Sequence, residues 1–129
     1  MIGVERTDFV SILTADRERA LRFYGETLGL RRNERAHEEW PEFETGNVTL
    51  SIVPIQQIGR DELTPSTSPI ALRVGDVEEA RRNLEEAGVE FYTETYDSGV
   101  CHMAFFKDPD GNALCLHRRY APYSDGSTP

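Results

Sequence analysis

An internal repeat constrains the fold of this chain more than its composition does. The seven residues DRERALR, which start at Asp16, align with DVEEARR, which start at Asp76, and Asp, Glu, Ala and Arg recur at matching places. Each segment follows a short apolar stretch, and the helical pattern ends at Gly29 in the first copy and Gly88 in the second. The repeat predicts that the chain folds as two similar modules.

Each copy has the pattern of a helix followed by three strands. Asp16 and Asp76 are suited to cap the two helices, and apolar residues recur behind them at helical spacing. We predict strands over residues 30–36, 40–45 and 48–53 in the first copy, and over 89–96, 100–107 and 113–118 in the second. With the apolar stretch before each helix, the predicted fold class is α+β, with two tandem βαβββ modules forming a curved sheet around a shared cleft.

A proline-containing segment separates the two halves. Three of the seven prolines fall within residues 54–69, which indicates a crossover linker. We predict one domain over residues 1–123, with module one at 7–54, the linker at 55–68 and module two at 69–120. The polar tail at 124–129 is expected to fray.

Charge and hydropathy limit the partners that we expect. The net charge of −9 argues against nucleic acid and anionic membranes as general partners. No apolar run approaches the ~20 residues of a membrane span. The N-terminal residues do not resemble a secretory signal, so we expect a cytoplasmic location.

Strand alternation predicts which side chains of the second module face the cleft. If Leu114 and Leu116 pack under the helix, Cys115 and His117 point into the cleft. A tight hairpin at the D-P-D-G turn would place Phe106, Ala104 and His102 opposite Ala113, Cys115 and His117. His102 and His117 would then be neighbours in the cleft, close enough to share a ligand.

The same predicted register assigns the remaining residues of this hairpin. Met103 and Phe105 are expected in the core on the helix side. Cys101 and Cys115 are expected on opposite faces of the sheet, so we predict that they form no disulfide.

In the first module, Val48, Leu50 and Ile52 have the pattern of core residues, so Ser51 is expected to face the cleft. If Phe43 is also a core residue, Trp40, Glu42 and Glu44 face the cleft. A slip of one residue would move both glutamates out of it.

Two strings in the sequence resemble a known group of proteins. RFYGETLGL, starting at Arg22, and AFFKDPDGN, starting at Ala104, are similar to markers of the vicinal oxygen chelate superfamily. This group contains glyoxalase I, bleomycin-resistance proteins, fosfomycin-resistance enzymes and extradiol dioxygenases. The resemblance spans residues 8–120 and implies paired βαβββ modules around a U-shaped pocket, often in a homodimer. Functions within the group differ widely, so the fold does not determine the activity.

The resemblance also implies four positions at which metal-using members carry ligands, usually His or Glu. In this sequence these positions are Phe9, Ser51, Pro69 and Cys115. Phe and Pro have no ligating side chain, Ser is a poor ligand for a divalent ion, and one Cys cannot hold an ion alone. We therefore predict no metal at these positions and no other cofactor.

The favoured function is metal-free binding of a small organic molecule, in the manner of the bleomycin-resistance proteins, by a homodimer. Aromatic and polar residues of the cleft would supply the binding surface, and the glutamates favour a cationic or donor-rich ligand. The candidate ligand-binding residues are Phe9, Trp40, Glu42, Glu44, Ser51, His102, Phe106, Cys115 and His117.

Two alternatives stay open at this point. A metal-dependent lyase or dioxygenase could use a displaced site around His102 and His117, with Glu44 as a third candidate catalytic residue, because two imidazoles and a carboxylate can hold iron or zinc. Without a metal, the histidine pair could shuttle protons. The other alternative is a regulatory module whose role is association. For each aromatic residue or glutamate taken alone, ordinary packing or solvation is an equally good explanation. For the two histidines, hydrogen bonding to a ligand or to each other is the simpler explanation.

Overall fold

Each copy of the repeat forms its own four-stranded sheet in the computed structural model, which describes residues 1–129. The chain divides into two units, Met1–Pro65 and Ser66–Pro129. The first unit contains β1 (Phe9–Thr14), α1 (Arg17–Arg22) with a following π-helical turn (Phe23–Thr27), β2 (Arg31–Asn33), β3 (Glu42–Glu44), β4 (Thr49–Pro54) and a 3-10 turn (Ile55–Ile58). The second unit contains β5 (Ile70–Arg73), α2 (Val77–Glu86), β6 (Tyr96–Asp97), β7 (Cys101–Lys107) and β8 (Ala113–Arg119).

The two sheets have the same topology. The strand order is β1-β4-β3-β2 in the first sheet and β5-β8-β7-β6 in the second. In each sheet the first strand pairs in parallel with the last, and the other pairs are antiparallel. The predicted α+β fold with two βαβββ modules is confirmed.

The two helices begin at the predicted aspartates. Asp16 accepts a hydrogen bond from the backbone N–H of Arg19 at 3.1 Å, and Asp76 accepts one from Glu79 at 3.0 Å. Each bond satisfies a backbone donor that the helix itself leaves unpaired. Neither helix is long and apolar enough to cross a bilayer.

The first helix changes its winding where its large aromatic residues are buried. Tyr24 is fully buried and Phe23 nearly so, and the N–H of Leu28 bonds to the carbonyl of Phe23 at 2.8 Å. This five-residue spacing is that of a π-helical turn. Gly29 then ends the helix with a φ of 72°, a backbone conformation that favours glycine.

Strands β2, β3 and β6 are shorter than predicted. The strand expected over residues 30–36 is Arg31–Asn33, the one over 40–45 is Glu42–Glu44, and the one over 89–96 is reduced to Tyr96–Asp97. The strands on either side of the D-P-D-G turn run close to their predicted lengths.

The turn between β7 and β8 sets a register that differs by one residue from the prediction. Lys107 pairs with Ala113, so the loop holds the five residues 108–112. Asp108 and Asn112 close it, because the N–H of Asp108 bonds to the carbonyl of Asn112 at 3.0 Å. The buried Asp108 carboxylate accepts hydrogen bonds from the backbone N–H groups of Asp110 and Asn112, each at 2.9 Å. The six-residue loop implied by the predicted pairing of Phe106 with Ala113 is therefore wrong.

Candidate functional site

The first sheet packs one face against its helix and presents the other as an open face. Phe43, Leu50 and Ile52 are buried, and the Phe43 ring lies 6.1 Å from that of Tyr24. Alternation along the strands therefore places polar and charged side chains on the opposite face. We call this the open face of the first sheet, and it comprises Phe9, Ser11, Leu13, Arg31, Asn33, Glu42, Glu44, Thr49, Ser51 and Val53.

Two carboxylates lie next to each other on this open face. The Asn33 side-chain amide donates to Glu42 at 3.0 Å, and the Thr49 hydroxyl lies 2.9 and 3.0 Å from the two carboxylate oxygens of Glu44. Arg31 stands directly opposite Glu44 in the pairing of β2 with β3. An ionised carboxylate has about four acceptor positions, so each glutamate keeps capacity for the donors of a ligand. Their placement follows from Phe43, which is 1% exposed.

Other candidates in the first module are differently placed. Phe9 begins β1 and is 58% exposed, whereas Ser51 is nearly buried and pairs with Glu42. Because β3 begins at Glu42, Trp40 lies in the preceding loop, where its ring is 4.7 Å from that of His37. Strand alternation therefore does not orient Trp40, and the prediction that it continues the strand is wrong.

The two histidines of the second module do not lie side by side. His102 pairs with Arg118, and His117 pairs with Met103. Since neighbouring strand residues point to opposite faces, His102 and His117 lie on opposite sides of the sheet. They cannot ligate one metal ion or pass a proton directly between them, so the predicted displaced site around this pair is wrong.

Phe106 belongs to the core and not to a binding surface. It is fully buried, pairs with Leu114, and its ring lies 5.1 Å from that of Phe91. Met103 and Phe105, expected in the helix-side core, lie instead on the face that carries Cys115 and His117. The new positions of Phe106, Met103 and Phe105 all follow from the shift of one residue in the pairing of β7 with β8.

The two cysteines are free thiols on the same face of the second sheet. Cys101 pairs with Arg119, which stands four residues beyond Cys115 on β8. Four residues of a strand span ~13 Å, too far for a disulfide between the two cysteines. The expectation that they lie on opposite faces is wrong. Burial raises the pKa of the Cys115 thiol, which is 2% exposed, so this side chain stays protonated near neutral pH.

A polar cluster on the helix side of the second sheet was missed by sequence reasoning, apart from its histidine. Asp97 accepts hydrogen bonds from the Gly99 N–H at 2.9 Å and the Tyr120 hydroxyl at 2.8 Å, and His102 Nε2 lies 3.4 Å from it. The Gly99 N–H and the Tyr120 hydroxyl hold the pKa of the Asp97 carboxyl below its usual value. The hydrogen bond to Asp97 in turn raises the pKa of Tyr120.

No local spacing could have revealed this cluster, because its three side chains come from separate parts of the chain. Asp97 lies at the end of β6, His102 is in β7, and Tyr120 follows β8. Only the pairing of these strands brings the side chains together.

Comparison with known sequences agrees with this architecture. Residues 6–116 match the family described as the Glyoxalase/Bleomycin resistance protein/Dioxygenase superfamily. The chain belongs to this superfamily. A search of curated proteins found no significant match.

Solved structures of other proteins share the fold at low sequence identity. A glyoxalase/bleomycin resistance protein/dioxygenase from Nocardioides has a TM-score of 0.75 and 21% identity, over 100% of this chain and 90% of that one. A superfamily member from Sphaerobacter thermophilus has a TM-score of 0.74 and 23% identity, over 88% and 97%. TnmS3, an antibiotic binding protein from Streptomyces sp. CB03234, has a TM-score of 0.75 and 23% identity, over 92% and 99%.

The residues at the superfamily's metal-ligand positions do not fit a metal ion. Phe9 begins β1, Ser51 lies in β4, Pro69 directly precedes β5, and Cys115 lies in β8. Two of these side chains cannot ligate, and the buried Cys115 thiol would have to lose a proton that its surroundings hold. Nowhere along residues 1–129 do three His, Cys, Asp or Glu side chains gather into a group that could hold an ion.

Proposed function

We propose that this superfamily member binds a small organic molecule without a metal ion, on the open face of the first sheet. The observation that carries the proposal is the set of side chains at the superfamily's ligand positions, Phe9, Ser51, Pro69 and Cys115. Glyoxalase and dioxygenase chemistry of this superfamily needs an ion to polarise substrate oxygens, and these side chains cannot supply its ligands.

The open face supplies the chemistry of a binding surface. Glu42 and Glu44 offer negatively charged acceptors, Thr49 offers a hydroxyl, and Phe9 offers an exposed aromatic ring. Arg31 is the cationic group among them, so the carboxylates outnumber it by two to one. A ligand that carries positive charge or several hydrogen-bond donors suits this surface.

The structural likeness to an antibiotic binding protein agrees with a binding role, because a protein of this fold is named for that role. That likeness is one of fold, so the identity of the ligand is a separate question. A homodimer and a cytoplasmic location stay predictions.

A thermal-shift screen in the presence of EDTA tests the proposal. The probes are bleomycin as a cationic antibiotic, a glutathione conjugate of methylglyoxal, and catechol. We expect the cationic probe to raise Tm, because a ligand that binds the folded state stabilises it. A stabilisation that appears only with catechol or the conjugate, and only after a divalent metal is added, would contradict the proposal.

Matched variants assign the binding to the open face. Glu42→Gln and Glu44→Gln keep the side-chain shape and remove one charge each, so each should weaken binding of the cationic probe by about tenfold. Glu62→Gln, at an exposed position of the linker, makes the same chemical change away from the sheet and should leave the affinity unchanged. Equal effects at all three positions would show that only the overall charge matters.

A further inference from the structure

The second module holds a cavity on the helix side of its sheet, on the face opposite Cys115 and His117. Its volume is about 540 Å³, within the range of roughly 300–1,000 Å³ typical of small-molecule sites. It lies between the start of α2, the adjacent ends of β7 and β8, and the tail residues Thr128 and Pro129. The side chains that matter most for its chemistry are Asp76, Val77, Glu78, His102, Arg118 and Tyr120.

The imidazole of His102 is held in place by the polar cluster described above. Its Nε2 lies 3.4 Å from Asp97, and its ring lies 4.9 Å from the ring of Tyr120, whose hydroxyl donates to the same carboxylate. Because Nε2 is directed at Asp97, Nδ1 is the nitrogen left for a ligand. The imidazole is thus oriented before anything binds.

Arg118 supplies the charge at this cavity. It stands directly across from His102 in the β7–β8 pairing, so both side chains share a face. The guanidinium of the half-buried Arg118 makes no hydrogen bond and no ion pair within the chain. Arg119, by contrast, donates to the carbonyls of Ala121 and Pro122 at 2.9 and 2.8 Å, and its guanidinium lies over the ring of Tyr123.

The acidic groups around the cavity limit the charge that it can accept. One oxygen of the Asp76 carboxylate accepts the capping hydrogen bond of α2. The Asp97 carboxylate accepts hydrogen bonds from the Gly99 N–H and the Tyr120 hydroxyl, and His102 Nε2 lies 3.4 Å from it. Glu78 is exposed at the rim and has no partner in the chain. Among the lining side chains, the two positive charges of Arg118 and Arg119 balance the two negative charges of Asp76 and Glu78. This balance favours a ligand with one negative charge over a doubly charged phosphate.

We propose that this cavity is a second binding site, which takes a small molecule with a carboxylate group and an aromatic or aliphatic body. Arg118 binds the carboxylate through its guanidinium, and the oriented His102 imidazole lies beside it. The exposed ring of Tyr120 supplies apolar surface for the body of the ligand. The site is separate from the open face of the first sheet and does not depend on it.

Benzoate and benzamide are the probes for this site, because they differ in charge and hardly in shape. In an NMR titration of the whole chain, we expect benzoate to shift the signals of His102, Arg118 and the first turn of α2. Benzamide should bind at least about tenfold more weakly, since it lacks the charge that Arg118 recognises. Equal binding of the two probes, no binding of benzoate, or tighter binding of inorganic phosphate would overturn the proposal.

Variants at two positions predict changes of opposite sign. Arg118→Gln should weaken benzoate binding by about tenfold, and Arg118→Lys should retain part of it. Glu78→Gln, at an exposed position where folding is not at risk, should strengthen binding because it removes a like charge from the rim. Arg60→Gln, an exposed arginine of the first unit, is the control and should change nothing. If Glu78→Gln weakens binding, or Arg60→Gln weakens it as much as Arg118→Gln, the site is not the one proposed.

Discussion

Cys115 shows how the surroundings of one side chain determine its chemistry. A cysteine binds metals and reacts with electrophiles as the thiolate. Cys115 lies in β8, is 2% exposed, and has its pKa raised by burial. Its contribution to folding stability is therefore complete at neutral pH and is lost as the pH rises through the raised pKa, because only the unfolded chain readily ionises this thiol.

The rate of alkylation measures how far the Cys115 thiol is buried and held protonated. We expect iodoacetamide to modify Cys115 much more slowly in the native protein near neutral pH than in the same protein unfolded in urea. Peptide mass spectrometry separates the reaction at Cys115 from that at Cys101. A native Cys115 that reacts as fast as an unfolded one would show that the thiol is neither buried nor held protonated.

Residue orientations in the first module were predictable where a strand is regular. Phe43 lies between two glutamates on β3, so its burial places Glu42 and Glu44 on the opposite face of the sheet. Trp40 lies just outside β3 and packs on His37 in a loop. Strand alternation does not apply to a loop, so the orientation of Trp40 could not be predicted from it.

At the scale of elements, the number of residues in one turn determines the faces of a whole hairpin. The loop of five residues between Lys107 and Ala113 is closed by Asp108 and Asn112. The Asn112 side chain also donates to Asp108 at 2.9 Å and accepts from the N–H of Ser66 at 2.9 Å. The turn therefore fixes both the register of β7 on β8 and the position of the segment that leads into β5.

Replacing Asp108 tests the contribution of this turn. Asp108→Ala leaves the backbone N–H groups of Asp110 and Asn112 without their acceptor at a buried site, and we expect a loss of about 2–4 kcal/mol in the free energy of unfolding. Urea denaturation measures it. Asp61→Ala, at an exposed position, is the control and should change stability by less than about 0.5 kcal/mol. A small effect at Asp108 would mean that other contacts set the register.

The helices were predictable from the sequence, whereas the hairpin register was not. Asp16 and Asp76 act through bonds to residues three positions away, and such local signals are visible in the sequence. The hairpin register depends on whether the turn closes over five or six residues. Apolar residues alternate poorly across β7 and β8, where Leu114, Cys115 and Leu116 are all buried, so the pattern could not exclude a slip.

At the scale of the whole molecule, the repeat predicted the architecture, and the superfamily match confirms it. The side chains proposed to bind ligands do not follow the repeat, because they lie on different faces of the two sheets. Glu42 and Glu44 give the first sheet an acidic open face, whereas in the second module Arg118 and His102 lie beside a cavity on the helix side. The polar cluster at Asp97 joins residues that are distant in the sequence, which is why its Asp and Tyr could not be predicted without the strand pairing.

The central claim, that this member of the superfamily binds its ligand without a metal ion, is tested most directly by elemental analysis. The protein is purified without a chelator and without a metal-binding tag, incubated with Zn, Fe, Mn or Ni, and passed over a desalting column. We predict clearly less than one ion of each metal per chain, because the ligand positions carry Phe9, Ser51, Pro69 and Cys115. One tightly held ion per chain would contradict the account.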